Sequence, residues 1–192
     1  MWFGDSRDDE TLDWLERLPF TLVFVCGNHE NYDALARYPV AEWRGGKVHR
    51  VRPHVLHLMR GQIFELEGYR FFTMGGATSV DREYRVPYSS WWPQELPDER
   101  DFDTARARLD EVGWKVDCVI THTCATRMIS PTLYPDPGWE RPDVDRLTRF
   151  LDELEDRLDY RRWYYGHFHR DGNPDERHTV LYDRIVRLGD KL

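Results

Sequence analysis

Cysteine is scarce, long apolar runs are missing and positive charge does not predominate. The 192 residues include only three cysteines, Cys26, Cys118 and Cys124, and none belongs to a Cys-x-x-Cys pair. Three thiols cannot all pair within one chain, so each is expected to be a small buried hydrophobe in a reducing compartment. No apolar stretch approaches the ~20 residues of a membrane-spanning helix, and the N-terminus lacks the basic-then-apolar order of a secretory signal. The expectation is a cytoplasmic protein that does not enter a membrane. The formal net charge of −8 argues against broad attraction to nucleic acid. It leaves an anionic substrate open, because a metal cluster reverses the local field inside an acidic protein. No repeat, low-complexity tract or linker divides the chain, so residues 1–192 are read as one domain. A chain of this length buries roughly 70% of its unfolded surface, enough for a core without disulfide or metal.

What is present reads as alternating strand and helix. Asp8 or Asp9 is a candidate cap for a helix carrying Leu12, Leu15 and Leu18 on one face. Thr21 to Cys26 is a short apolar run of the kind buried on both faces of a sheet. It stops at Gly27-Asn28-His29-Glu30, and a helix is expected over about Tyr32 to Tyr38. Four short strands follow, Lys47–Val51, Val55–Met59, Gln62–Leu66 and Tyr69–Met74, separated by Arg-Pro, Arg-Gly and Glu-Gly turns. Gly75-Gly76 closes that section. Val80–Arg100, rich in Trp, Pro and charge without periodicity, is read as a long loop, with a helix at Thr104–Val112. Val116–Ile120 is a strand running into Thr121-His122. After a loop at Tyr134–Pro142, Asp143 is a candidate cap for a helix with one apolar stripe of Val144, Leu147, Phe150, Leu151, Leu154 and Leu158. Arg162–Tyr165 is a strand ending in Gly166-His167-Phe168-His169, and a last strand is expected over about Thr179–Leu188.

Three of these strands end in loops bearing histidine: Asn28-His29, His122 and His167-Phe168-His169. The carboxyl ends of neighbouring parallel strands lie on one edge of an α/β sheet, so the three loops can converge although about 140 positions separate them. Neutral imidazoles and an Asn carbonyl oxygen suit borderline divalent ions such as Mn, Fe, Zn, Co or Ni. On extended backbone, His167 and His169 would point the same way. Each group also has a bland reading. His122 alone would be a hydrogen-bonded loop histidine, the 167/169 pair surface residues of an edge strand, and Asn28 a turn residue tolerant of left-handed geometry. A metal accounts for all three at once.

The motifs resemble those of a known family. Gly27-Asn28-His29-Glu30 is similar to the GNHE signature of calcineurin-like metallophosphoesterases, Gly166-His167-Phe168-His169 to their GHxH signature, and His122 to the strand-end histidine between them. The segments Glu42–Val48, Leu58–Phe64 and Trp91–Glu95 resemble a bacterial subgroup of uncertain substrate. The resemblance runs from about Asp8 to the C-terminus. It implies an α/β fold, a two-sheet sandwich flanked by helices, and a hydrolase acting as a phosphatase or phosphodiesterase on phosphate esters. It further implies two divalent metal ions as cofactors. Asn28, His122 and His167 correspond to ligands of one metal and His169 to a ligand of the other. His29 corresponds to the catalytic residue beside the metals, which assists the leaving group or the phosphoryl oxygens. Glu30, near a helix start, is expected to complement the helix dipole.

The chain departs from that pattern at its beginning. The family opens with a strand ending in DxH and a second ending in GD, whose Asp bridges the metals. No DxH precedes Gly27, and Gly4-Asp5 is the only GD pair upstream of it. The expectation is a member lacking its first strands, with Asp5 read as a loop carboxylate and, in the alternative, as the bridging ligand. Two rivals to the hydrolase stand. One is a catalytically impaired remnant or regulatory module of the same fold. The other is a nuclease, which would need a basic track such as Arg82, Arg85 and Arg127 beside the site; those arginines also suit surface ion pairs.

Overall fold

In the computed structural model, residues 6–129 and 144–188 are described. They form an α/β structure with two mixed sheets, of four and five strands, and helices packed on them. Helix α1 (Ser6–Glu16) turns only Leu12 fully inward. It leads to β1 (Leu22–Phe24), followed by a single helical turn, α2 (Tyr32–Leu35). Strands β2 (Val40–Trp43), β3 (Gly46–Arg52) and β4 (Val55–Leu58) complete the first sheet, in the order β1-β4-β3-β2. β1 runs parallel to β4, and the other pairs are antiparallel.

The second sheet has the order β5-β6-β7-β8-β9. β5 (Gln62–Leu66) and β6 (Tyr69–Met74) form a hairpin. Next to β6, three strands run parallel to it: β7 (Cys118–Thr121), β8 (Arg162–Tyr165) and β9 (His178–Val180). Between β6 and β7 lies α3 (Glu99–Glu111), and α4 (Arg146–Arg157) precedes β8. The main core lies between this sheet and the two helices. Phe72, Val119 and Trp163 on the sheet meet Leu109, Leu147, Leu151 and Leu154 on the helices. On the other face, Phe64 of β5 packs on Val48, Leu56 and Leu58 of the first sheet, which joins the two sheets.

Several expectations are adjusted. A strand over Val40–Trp43 was not expected. It pairs with β3 through Arg44-Gly45, both at positive φ, the geometry of a two-residue hairpin turn. Helix α3 begins at Glu99, inside the stretch read as loop. Asp98 caps it, and Asp98 and Asp101 reciprocally satisfy each other's backbone N–H groups. The rest of that stretch holds two short 3-10 turns, Arg82–Tyr84 and Pro93–Glu95. Asp143 and the loop Tyr134–Pro142 fall outside the described residues. The cap of α4 is Asp145, and Val144, the first member of the expected stripe, is exposed. The last strand is three residues long, not ten, because the chain after Val180 bends: Asp171 takes the N–H groups of Tyr182, Asp183 and Arg184. All three cysteines are free and buried.

Candidate functional site

The carboxyl ends of β1, β6, β7 and β8 are drawn together by close backbone approach. Gly75-Gly76 follows β6, and the Gly76 N–H donates to the Cys26 carbonyl just beyond β1 at 2.8 Å. A Cβ on Gly75 would lie 2.5 Å from Cys26 Sγ, so only glycine allows this junction. On the other side, the Gly166 N–H donates to the His122 carbonyl at 3.0 Å, tying the loop after β8 to the loop after β7. Thr121 and Trp163 add a buried lock beneath: Trp163 Nε1 donates to Thr121 Oγ1 at 2.8 Å, and Thr121 Oγ1 donates to the Thr123 carbonyl.

On this platform Asn28 is buried and makes three side-chain contacts. Its Oδ1 stands 3.0 Å from His122 Nε2, its Nδ2 donates to Ser79 Oγ at 3.1 Å, and Nδ2 is 3.3 Å from His29 Nε2. The His122 ring meets His167 edge-on with centroids 5.3 Å apart. Asn28, His29, His122 and His167 thus form one contiguous group. His169 lies stacked on Tyr182 at 5.0 Å, near enough to His29, His122 and His167 to influence their protonation. The extended backbone expected for His167-x-His169 is not what forms. Both residues are in the left-handed region, at φ 69° and 50°, with a tight Phe168 N–H to Gly166 carbonyl turn between them. The His167 ring faces His122, and the His169 ring stacks on Tyr182.

Burial sets the protonation of the group. Desolvation, then the neighbouring imidazoles, push His122 down to about 3 and His167 down to about 4. His29 is lowered by its burial and then by the Arg85 guanidinium. All three are neutral at physiological pH, the form in which an imidazole ligates metal. His29 Nδ1 is buried without a hydrogen-bond partner.

The donor chemistry fits a divalent ion. Two donor atoms each about 2.1 Å from one metal, at tetrahedral to octahedral angles, lie ~3.0–3.4 Å apart; Asn28 Oδ1 and His122 Nε2, hydrogen-bonded at 3.0 Å without metal, are already at that spacing. Among the described residues no three His, Cys, Asp or Glu side chains are already gathered around one point. The carboxylate linked to Asn28 is Glu95, one residue removed, through Ser79. Asp5 falls outside the described residues.

Other expected roles change. Glu30, one residue before the Asn31 cap of α2, has its Oε1 accepting the Gly27 N–H at 3.2 Å. Arg85 is paired bidentately with Asp81, and Arg127 with Asp152 and Asp156, so neither offers a free basic track. Ser79 and Glu95 were not singled out in the sequence. A signal existed: β6 is a parallel neighbour of β7, so the loop after it had to reach the same edge. A cavity of about 210 Å³ lies behind the loop, lined by Cys26, Tyr32, His57, Met59 and Arg60, and the Tyr32 hydroxyl donates to the Gly27 carbonyl from that side.

Comparison with family models, curated proteins and solved structures returns no match. The chemistry of this site is therefore read from its own side chains.

Proposed function

We propose that the chain is a metal-dependent phosphoester hydrolase with a calcineurin-like metallophosphoesterase fold. One observation carries the reading. An amide oxygen and a neutral imidazole nitrogen, from loops of different sheets, meet at ligand spacing, with a second neutral imidazole against the first. Asn28, His122 and His167 would hold one divalent ion, and His169 would belong to a second. Divalent metal supplies Lewis-acid stabilisation of the phosphoryl charge and a nucleophile from water at neutral pH.

The chain's own residues do the rest. Gly27 packs against the His122 ring, and the Trp163–Thr121 hydrogen bond braces the end of the strand that leads into His122. His29, half-buried beside Asn28, is the group assigned to the leaving oxygen or a phosphoryl oxygen. Its imidazole is held toward the neutral form by burial, so it adds no cation to the site.

A second reading has its own support. The direct contacts of Asn28 and His122 are all with neutral groups. Neutral ligands do not offset a cation's charge, which favours a weakly metal-binding regulatory module of the same fold. Titration with Mn²⁺ or Zn²⁺, followed by assay on para-nitrophenyl phosphate and its bis ester, separates the two. The hydrolase reading expects metal-dependent release of nitrophenol. Asn28→Ala and His167→Ala should lower metal content and turnover together, and His29→Ala should lower turnover alone. Metal binding without turnover on either ester selects the regulatory reading, and neither binding nor turnover overturns both.

A further inference from the structure

A carboxamide has an oxygen end and a nitrogen end of nearly the same shape, and only the oxygen can face a cation. The neighbours of Asn28 decide which end goes where. Glu95 is 1% exposed, and both its oxygens are given to Ser79: Oε1 accepts the Ser79 N–H at 3.0 Å and Oε2 the Ser79 hydroxyl at 2.5 Å. A hydroxyl has one proton. Once it is donated to Glu95, Ser79 Oγ has only lone pairs left, and the group facing it must be a donor. Asn28 Nδ2 fills that role at 3.1 Å, and its other N–H faces His29 Nε2 at 3.3 Å. Both amide protons are then used, and Oδ1 is left toward His122.

The backbone makes this chain of bonds stiff. Arg60 Nη2 donates to the Glu95 carbonyl at 3.0 Å, and Arg60 Nε to the Gly75 carbonyl at 3.1 Å, joining the two segments that carry Glu95 and Ser79. Gly76, at φ +105°, lets them touch; a Cβ there would sit 2.3 Å from the Glu95 carbonyl oxygen. Asn28 and Ser79 are 51 positions apart and Ser79 and Glu95 are 16 apart, so tertiary packing alone creates the relay.

We infer that Glu95 and Ser79 are positioning residues, whose hydrogen-bond polarity fixes the Asn28 carboxamide with its oxygen toward His122 so that a divalent cation meets an oxygen donor there. The cation belongs to the proposed function; the orientation is a property of the chain alone. The isosteric change Glu95→Gln separates this role from simple bracing of the loop. A glutamine amide can still accept the Ser79 N–H and donate to Ser79 Oγ, so the brace survives. The Ser79 hydroxyl is then free to donate, and it draws the oxygen of Asn28 toward itself, away from His122.

The experiment uses the whole chain without added metal, labelled with ¹⁵N. The Asn28 side-chain amide is followed by NMR in native protein, Glu95→Gln and Ser79→Ala, and each form is then titrated calorimetrically with Mn²⁺ and with Zn²⁺. The native amide pair should exchange slowly with water. In both variants it should move and lose that protection, and affinity for the ions should fall about tenfold or more. Native amide signals retained in Glu95→Gln overturn the inference, whatever Ser79→Ala does to folding. If the native chain binds neither ion, the metal reading fails by itself, and the amide signals still decide the orientation.

Discussion

The imidazole of His122 lies against Gly27, so close that a Cβ built there would be 3.0 Å from its Cε1 and 3.1 Å from its Nε2. The ring is wedged between this glycine and His167. Gly27→Ala should therefore push Nε2 away from Asn28 Oδ1 by a few tenths of an ångström. A ligand pair tolerates little of that displacement. Titration with Mn²⁺ should show affinity reduced about tenfold, with the melting temperature lowered only slightly. Unchanged affinity would mean that His122 is not held by this contact.

Stability above neutral pH should depend on His178. Its buried ring lies between Glu155 of α4, 2.8 Å from Nε2, and Asp175, 2.9 Å from Nδ1. The Tyr160 hydroxyl is 3.2 Å from Nε2, and the Arg177 guanidinium covers the Tyr160 ring. Burial alone would lower the pKa, but the hydrogen bonds and charges of Glu155 and Asp175 raise it above the ordinary imidazole value. The imidazolium is thus favoured in the folded chain. Its contribution is complete below the unfolded value of about 6.5 and is lost as pH rises through the raised folded value. Urea unfolding between pH 6 and 9 should show this decline, and His178→Gln should flatten it. A variant with the same alkaline slope would assign the decline to another group.

His57 should act in the opposite direction. Its Nδ1 is 2.9 Å from His49 Nδ1, its Nε2 is buried without a partner, and burial, then the charges of His49 and Arg60, press its pKa down to about 3. The folded chain keeps this ring neutral while the unfolded chain takes up a proton below about pH 6.5. Stability is therefore lost as pH falls from about 6.5 toward 3, by up to about 1.4 kcal/mol per pH unit. His57→Leu removes both the orphaned nitrogen and this slope. At neutral pH it should be as stable as the native chain or better by about 1 kcal/mol, and its advantage should widen at pH 5. A larger loss at pH 5 than at pH 7 would contradict this account.

Much of the sheet was legible because the turns announce themselves. Gln62–Leu66 and Tyr69–Met74 match β5 and β6 to the residue, since Glu67-Gly68 supplies the two positive φ angles of a tight hairpin. Arg44-Gly45 does the same for β2 and β3. There the signal was hidden, because β2 is an edge strand of four residues with two exposed side chains. The apolar stripe of α4 placed that helix, but the first turn of α3 is polar and only its Asp98/Asp101 cap marks it.

For the site, strand-end histidines gave Asn28, His29, His122 and His167 as a group, because parallel topology carries separated loops to one edge. The sequence could not show how His169 turns, since left-handed backbone at two histidines has no local marker. Ser79 had only its place in the loop after β6 to mark it, and Glu95 had no marker. A serine in a loop and a glutamate among tryptophans and prolines look like surface residues, and only the tertiary fold encloses them.

The left-handed histidines lead to a last test, one that isolates backbone from side chain. His167 and His169 sit at φ 69° and 50°, where an L residue crowds its own carbonyl and glycine does not. Such strain costs about 1 kcal/mol or more at each residue and persists where surrounding structure enforces it. Replacing either histidine deletes its imidazole and its ring contacts, so a single variant mixes two effects. Alanine and glycine at the same position both delete the ring and differ in the backbone alone. In ordinary helix or extended geometry glycine would be the less stable, because it has more freedom to lose on folding. Here the order should reverse, with His169→Gly more stable than His169→Ala by about 1 kcal/mol, and the same order at position 167. Urea midpoints of the four variants measure it directly. If alanine proves equal or better at both positions, the loop does not hold its histidines in this conformation in solution. If the order reverses as expected and both glycine variants also lose affinity for Mn²⁺, the chain maintains a strained turn whose stability would rise without it and whose imidazoles the site needs.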